Sequence, residues 1–150
     1  MMYFNGSLRS NGCIHMNNAA TGFLHITVFH NVVNTVIENA VVSIYKISYH
    51  GTYNERAEGR FIAQYTTDKD GATPLIELPV LNELMPGNKD YYYISVSAYG
   101  FNDAFIFNVQ IYPNILSSYK MYLTHTFYDD VVFNFIVEPT RTEIHRRNIN

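Results

Sequence analysis

Tyr91-Tyr92-Tyr93-Ile94-Ser95-Val96-Ser97-Ala98 is the stretch that decides the fold. In it Tyr92, Ile94, Val96 and Ala98 alternate with Tyr93, Ser95 and Ser97. A period of two sends alternate side chains to opposite faces of an extended chain, the pattern of a strand buried on one side. Tyr92, Ile94, Val96 and Ala98 are expected toward a core, with Tyr91 and Tyr93 on a solvated or contact-making face.

Upstream, Phe23 to Phe29 and Ala40 to Ile47 are β-rich runs separated by the turn-forming His30-Asn31 and Asn34. A polar stretch from His50 to Gly59 leads to a third run, Phe61 to Thr67, ended by the turn Asp68-Lys69-Asp70-Gly71. Asp accepts local backbone bonds and Gly tolerates positive φ. Leu75 to Leu78, bracketed by Pro74 and Pro79, suits an edge position. Downstream of Gly100, the run Ala104 to Ile111 places Phe105, Phe107, Val109 and Ile111 on one face, and Tyr119 to Thr124 turns Tyr119, Met121 and Leu123 inward. An eighth run, Val131 to Glu138, is almost unbrokenly apolar and stops at Pro139.

Seven short strands, turn signals between them and no helical period predict an all-β, Greek-key, immunoglobulin-like sandwich with an additional C-terminal strand. The organisation expected is an arm over 1–21, the sandwich over 22–126, the extra strand over 127–139 and a polar tail over 140–150. A chain of 150 residues, 47% hydrophobic, can bury one core without disulfide or metal. Only 15% of residues are charged, so Asn, Ser, Thr and Tyr must make the surface polar, a composition that fits either an adhesive surface or an AT-rich coding bias. A net charge of -3 gives no footprint for nucleic acid or an anionic membrane. The N-terminus has no charged start followed by a long apolar run, so no signal peptide is expected.

Three blocks carry a family resemblance: Ile37 to Tyr45; Thr66-Thr67-Asp68-Lys69-Asp70-Gly71 through Pro79; and Tyr93 to Phe101 running into Asn108 to Pro113. The stretch from Gly22 to Thr124 resembles the carboxypeptidase regulatory-like, transthyretin-like sandwich, nearest the version in clostridial spore cortex-lytic enzyme precursors and related spore proteins. The resemblance implies the sandwich and a spore setting reached by a mother-cell route. It implies no active-site residues.

No catalytic, cofactor-binding or metal-binding residue is expected. His25 and His30 are five apart, on opposite faces of a strand. The Asp68 turn lacks the distal carboxylate of a calcium loop. Asp129 and Asp130 point apart in an extended chain. The flanks carry the functional expectation instead. Val131 to Val137 is apolar on both faces, so it either closes its own sandwich or pairs with a neighbour. The assembly interface is read as Met2, Tyr3, Phe4, Cys13, Ile14, Val131, Phe133, Phe135 and Val137, with Cys13, the single cysteine, placed for an intersubunit disulfide. The leading expectation is a non-enzymatic structural subunit, a filament or lattice of its own copies in a bacterial spore coat or appendage, needing no cofactor. The alternative is a module binding peptidoglycan or a partner of the cortex-lytic machinery.

Overall fold

The computed structural model describes residues 20–81, 90–127 and 134–138. Its strands are β1 (Thr21–His30), β2 (Val41–His50), β3 (Arg56–Thr66), β4 (Ile76–Pro79), β5 (Asp90–Ser97), β6 (Ala104–Val109), β7 (Leu116–Leu123) and β8 (Asn134–Val137). They form a three-stranded sheet in the order β4-β1-β7 and a five-stranded sheet in the order β3-β2-β5-β6-β8. β1 runs parallel to β7 and β6 parallel to β8; the other pairs are antiparallel. The all-β sandwich expected from the alternation is therefore the fold.

The core between the sheets is aliphatic. Leu24, Ile26 and Val28 of β1 meet Val42 and Ile44 of β2, Ile94 and Val96 of β5, and Ile106 of β6, all inaccessible to solvent. Burying a side chain of this size contributes roughly 1.5–3 kcal/mol, which offsets the ordering of a chain that no disulfide restrains. Tyr92 joins the core at the open end, where its hydroxyl donates to the Pro79 carbonyl (2.7 Å) and ties β5 to the end of β4.

The turn after β3 is held from several sides. Asp68 Oδ1 accepts from the backbone N–H groups of Asp70 and Ala72. Gly71 sits at φ +70, and a Cβ there would lie 2.7 Å from Val36 Cβ and 2.8 Å from the Val28 carbonyl oxygen, so only glycine fits. The loop then continues the edge of β1 past β4, with Val28 N–H donating to the Gly71 carbonyl and Ile26 N–H to Thr73 Oγ1. Leu75 to Leu78, read as an edge, supplies β4 at the margin of the smaller sheet.

Two departures matter for function. Strict alternation puts Phe105 and Phe107 on one face with Val109 and Ile111. Asn108, at φ +60, instead inserts a bulge, so that Tyr92 pairs with Val109 while Ile94 pairs with Ile106. Ala104, Ile106, Val109 and Ile111 point into the core, and Phe105 and Phe107 point away from it. The polar stretch His50 to Gly59 likewise contains the first half of β3, whose residues are exposed and so show no hydrophobic alternation.

Candidate ligand-binding face

Several of the aromatic residues outside the core collect on the outward side of the five-stranded sheet. On β2 the inward Val42 and Ile44 leave Ser43, Tyr45, Ile47 and Tyr49 on the outer side. On β5 the inward Tyr92, Ile94 and Val96 leave Tyr91, Tyr93 and Ser95 there. β3 adds Phe61, set opposite Tyr45 by a bulge at Ile62; β6 adds Phe105 and Phe107; β8 adds Phe135 and Val137, their partners in register.

The rings touch in sequence across the strands. Phe61 and Tyr45 have centroids 5.7 Å apart, Tyr45 and Tyr93 5.8 Å, and Tyr93 and Phe107 5.1 Å. Phe105 lies 6.0 Å from Tyr93 with its plane only 15° away. The row is half-buried in the middle and open at its ends, where Phe61 is 54% and Phe135 62% exposed. Tyr91 differs from the solvated position expected of it: it is buried, its ring 5.9 Å from Tyr49. The Tyr49 hydroxyl donates to Asn108 Oδ1 (2.9 Å), and Asn108 Nδ2 donates to the Glu138 carbonyl (3.4 Å), so the bulge residue braces β2 against the end of β8.

By register, no Lys, Arg, Asp or Glu of β2, β3, β5, β6 or β8 points to this side: Lys46, Asp90, Glu58 and Arg60 share the opposite parity, and Lys46 is bound to Asp90 at 2.7 Å. Burial holds the Tyr49 phenol above its ordinary pKa, with Tyr91 adding to it. Burial also raises the Tyr93 phenol, helped by Tyr45 and by the Asp103 carboxylate at the start of β6. The face is therefore neutral at physiological pH, apart from that rim carboxylate.

Other places offer less. A cleft of about 10 Å³ between Leu81, Asp90, Tyr91, Tyr92 and Val109 to Ile111 has room for about one water. His30 and His125 come within 6.1 Å, flanked by Phe101 and Phe127. His30 Nδ1 accepts from the Val32 and Val33 N–H groups and His125 Nδ1 from Phe127 N–H. Each neutral ring then carries its proton on Nε2, the atom a metal would need bare. Among the described residues no three of His, Cys, Asp and Glu gather to hold a metal ion.

No family model and no curated protein matches the sequence. Solved structures do resemble the fold. Catechol 1,2-dioxygenase from Pseudomonas arvilla C-1 aligns with a TM-score of 0.50 and 13% identity, over 79% of this chain and 56% of that one. For 3-chlorocatechol 1,2-dioxygenase from Rhodococcus opacus 1CP the values are 0.48 and 11%, over 72% and 61%. For hydroxyquinol 1,2-dioxygenase from Pseudomonas putida DLL-E4 they are 0.46 and 12%, over 73% and 58%. The chain spans little more than half the length of these enzymes.

These neighbours correct several expectations. The sandwich resembles in fold that of the catechol 1,2-dioxygenase with the 0.50 TM-score, and the likeness to a carboxypeptidase regulatory-like or spore cortex-lytic domain does not stand. The blocks that carried it mark turns and core positions, which unrelated sandwiches share. The reading as a non-enzymatic, self-assembling subunit of a spore coat, appendage or filament took its setting from that likeness and falls with it, as does the cortex-lytic module. The expectation that the chain is no enzyme falls too, because the similar folds belong to enzymes. At this identity the likeness shows the fold alone.

Of the residues read as an assembly interface, Phe135 and Val137 lie on the outer face of β8, at the edge of the aromatic row. Met2, Tyr3, Phe4, Cys13, Ile14, Val131 and Phe133 lie outside the described residues. Sequence reasoning sets Tyr93 on a solvated or contact-making face but misses Tyr45, Phe61, Phe105 and Phe107 as its companions, since strict alternation sends Phe105 and Phe107 to the core. The signal that could have found them is an Asn inside an otherwise apolar strand.

Proposed function

We propose that the domain binds a flat, uncharged, ring-bearing ligand on the outer face of its five-stranded sheet. The observation that carries this reading is the neutral row of touching rings, Phe61, Tyr45, Tyr93 and Phe107, running across four adjacent strands. An aromatic ring has a negative face that attracts the polarised C–H edge of another ring, and stacking excludes water from both. Apolar side chains gathered on one face and open at its ends, as Phe61 and Phe135 are, suit an interaction site. The solved structure with the 0.50 TM-score is named for action on catechol, itself a flat ring, which is compatible with this ligand class.

Titration of tyrosine emission tests the reading. Catechol and cellohexaose serve as two unlike ring-bearing probes, added to the native chain and to a Tyr45→Ser/Phe61→Ser double variant. A saturable change with at least one probe, weakened at least tenfold in the double variant while its thermal transition is kept, is expected. Responses that are the same in both proteins would place binding elsewhere and overturn the reading.

A further inference from the structure

We propose that the ligand of this face is an extended, uncharged polysaccharide, its pyranose units lying across the strands along Phe61, Tyr45, Tyr93 and Phe107. This rests on the ring-binding reading above and narrows it.

Shape is the first reason. A small molecule is held well when a concavity covers most of its surface. This face is the open side of a sheet, so a lone ring would be covered on one side only. An extended chain repeats the same one-sided contact, and each further unit binds at high effective concentration once its neighbour is seated.

Spacing is the second. Successive rings are 5.7, 5.8 and 5.1 Å apart, set by strands paired about 4.8 Å from one another. That step is of the order of one sugar residue in an extended chain. The planes of successive rings are inclined to one another by 72°, 48° and 47°, so the row is a twisted platform, suited to a chain whose units also twist. Pyranose C–H groups, polarised by neighbouring oxygens, suit the negative faces of Phe and Tyr.

The third reason is the polar row beside the rings. Gln64, Ser43 and Ser95 face one another in register on β3, β2 and β5, with Ser43 and Ser95 two residues along from Tyr45 and Tyr93 and Gln64 beyond the bulge from Phe61. That offset is about 7 Å, the scale at which equatorial hydroxyls of a stacked sugar reach out for amide and hydroxyl partners. All three are neutral, and Ser43 and Ser95, beside the central rings, are too short to screen them.

Charge decides among polymers. Single-stranded nucleic acid stacks on aromatics but needs a cationic groove to carry its backbone. No Lys or Arg of the five strands points to this face, and the nearby Asp103 carboxylate repels anions while able to accept hydrogen bonds from hydroxyls. Acidic glycans are disfavoured for the same reason.

Calorimetry on the full chain tests this, with cellohexaose, chitohexaose, their disaccharides, an oligogalacturonate of six units and catechol. At least one neutral hexasaccharide is expected to bind at least tenfold tighter than its disaccharide. Phe61→Ala, at an exposed edge of the sheet, is expected to cost about tenfold, the scale of one lost stacking partner. Catechol binding without any hexasaccharide, a hexasaccharide no tighter than its disaccharide, or tighter binding of the oligogalacturonate would overturn the polysaccharide inference and leave the ring-binding reading standing. Silence from every probe, or hexasaccharide binding untouched by Phe61→Ala and by the Tyr45→Ser/Phe61→Ser pair, would overturn both.

Discussion

The two faces of the five-stranded sheet are made by the same strands, yet they are chemically unlike. Inward lie Val42, Ile44, Ile94, Val96 and Ile106, aliphatic and closed to solvent. Outward lie Tyr45, Tyr93, Phe105 and Phe107, aromatic and half-buried, with Phe61 and Phe135 open at the edges. Branched aliphatics interdigitate between two sheets, whereas flat rings cover a single surface and leave it able to receive another flat body. One face specifies the fold and the other is available for function.

The largest expected effect follows directly. Ile94→Ala removes a fully buried side chain and leaves a cavity, and is expected to cost about 3–4 kcal/mol. Its chain neighbour Tyr93, replaced by Ala, loses more atoms but from a half-exposed position, with an expected cost of about 1 kcal/mol. Urea unfolding of both variants measures the gap. Equal losses would mean that the outer rings are core in all but name.

Much of the inner face was legible in the sequence, because the alternation at Tyr92, Ile94 and Val96 continues along the strand and burial respects it everywhere but at Tyr91. The outer face was not. Reading Ala104 to Ile111 with a strict period of two puts Phe105 and Phe107 in the core, and one left-handed residue at Asn108 reverses them. Every non-glycine residue described at positive φ is Asn: Asn34, Asn39, Asn54, Asn108 and Asn114. Asparagine tolerates that region better than other side chains, so an Asn amid apolar residues was the available clue. The β3 edge hid for another reason: Arg56 to Arg60 are exposed on both sides, so hydrophobicity has no period there to reveal.

Tyr92 sharpens the comparison at intermediate size, since it is the aromatic residue of the core. Burial pushes its phenol up to about 12 from the ordinary 10.0. A raised acid pKa means the folded state favours the neutral form, so this stabilisation is complete below pH 10 and is lost as pH rises from 10 toward 12. A difference of about two units corresponds to roughly 2.7 kcal/mol at most. Tyr119, raised by burial and by the Glu138 carboxylate, adds to the loss in the same direction. Tyr92→Phe should lose about 1 kcal/mol at pH 7 with the bond to Pro79, then close the gap with the native chain near pH 11. A gap that stays constant with pH would mean that the phenol is solvated in the folded chain.

Asn108 is the hinge between the two faces and gives the smallest effect, as the difference between two of its variants. Glycine takes φ +60 without steric strain, so Asn108→Gly should lose the Tyr49 hydrogen bond and the long one to Glu138, about 1–1.5 kcal/mol in total, besides the cost of a freer unfolded chain. Alanine loses the same bonds and must also hold its Cβ in the left-handed region, for about 1 kcal/mol more. Thermal unfolding of the two variants reads that difference, reduced by the roughly 0.5 kcal/mol that glycine's freer unfolded chain costs its own variant. If Ala proves as stable as Gly, the strand does not need a left-handed residue there, and some other cause must turn Phe105 and Phe107 outward while Val109 and Ile111 stay in.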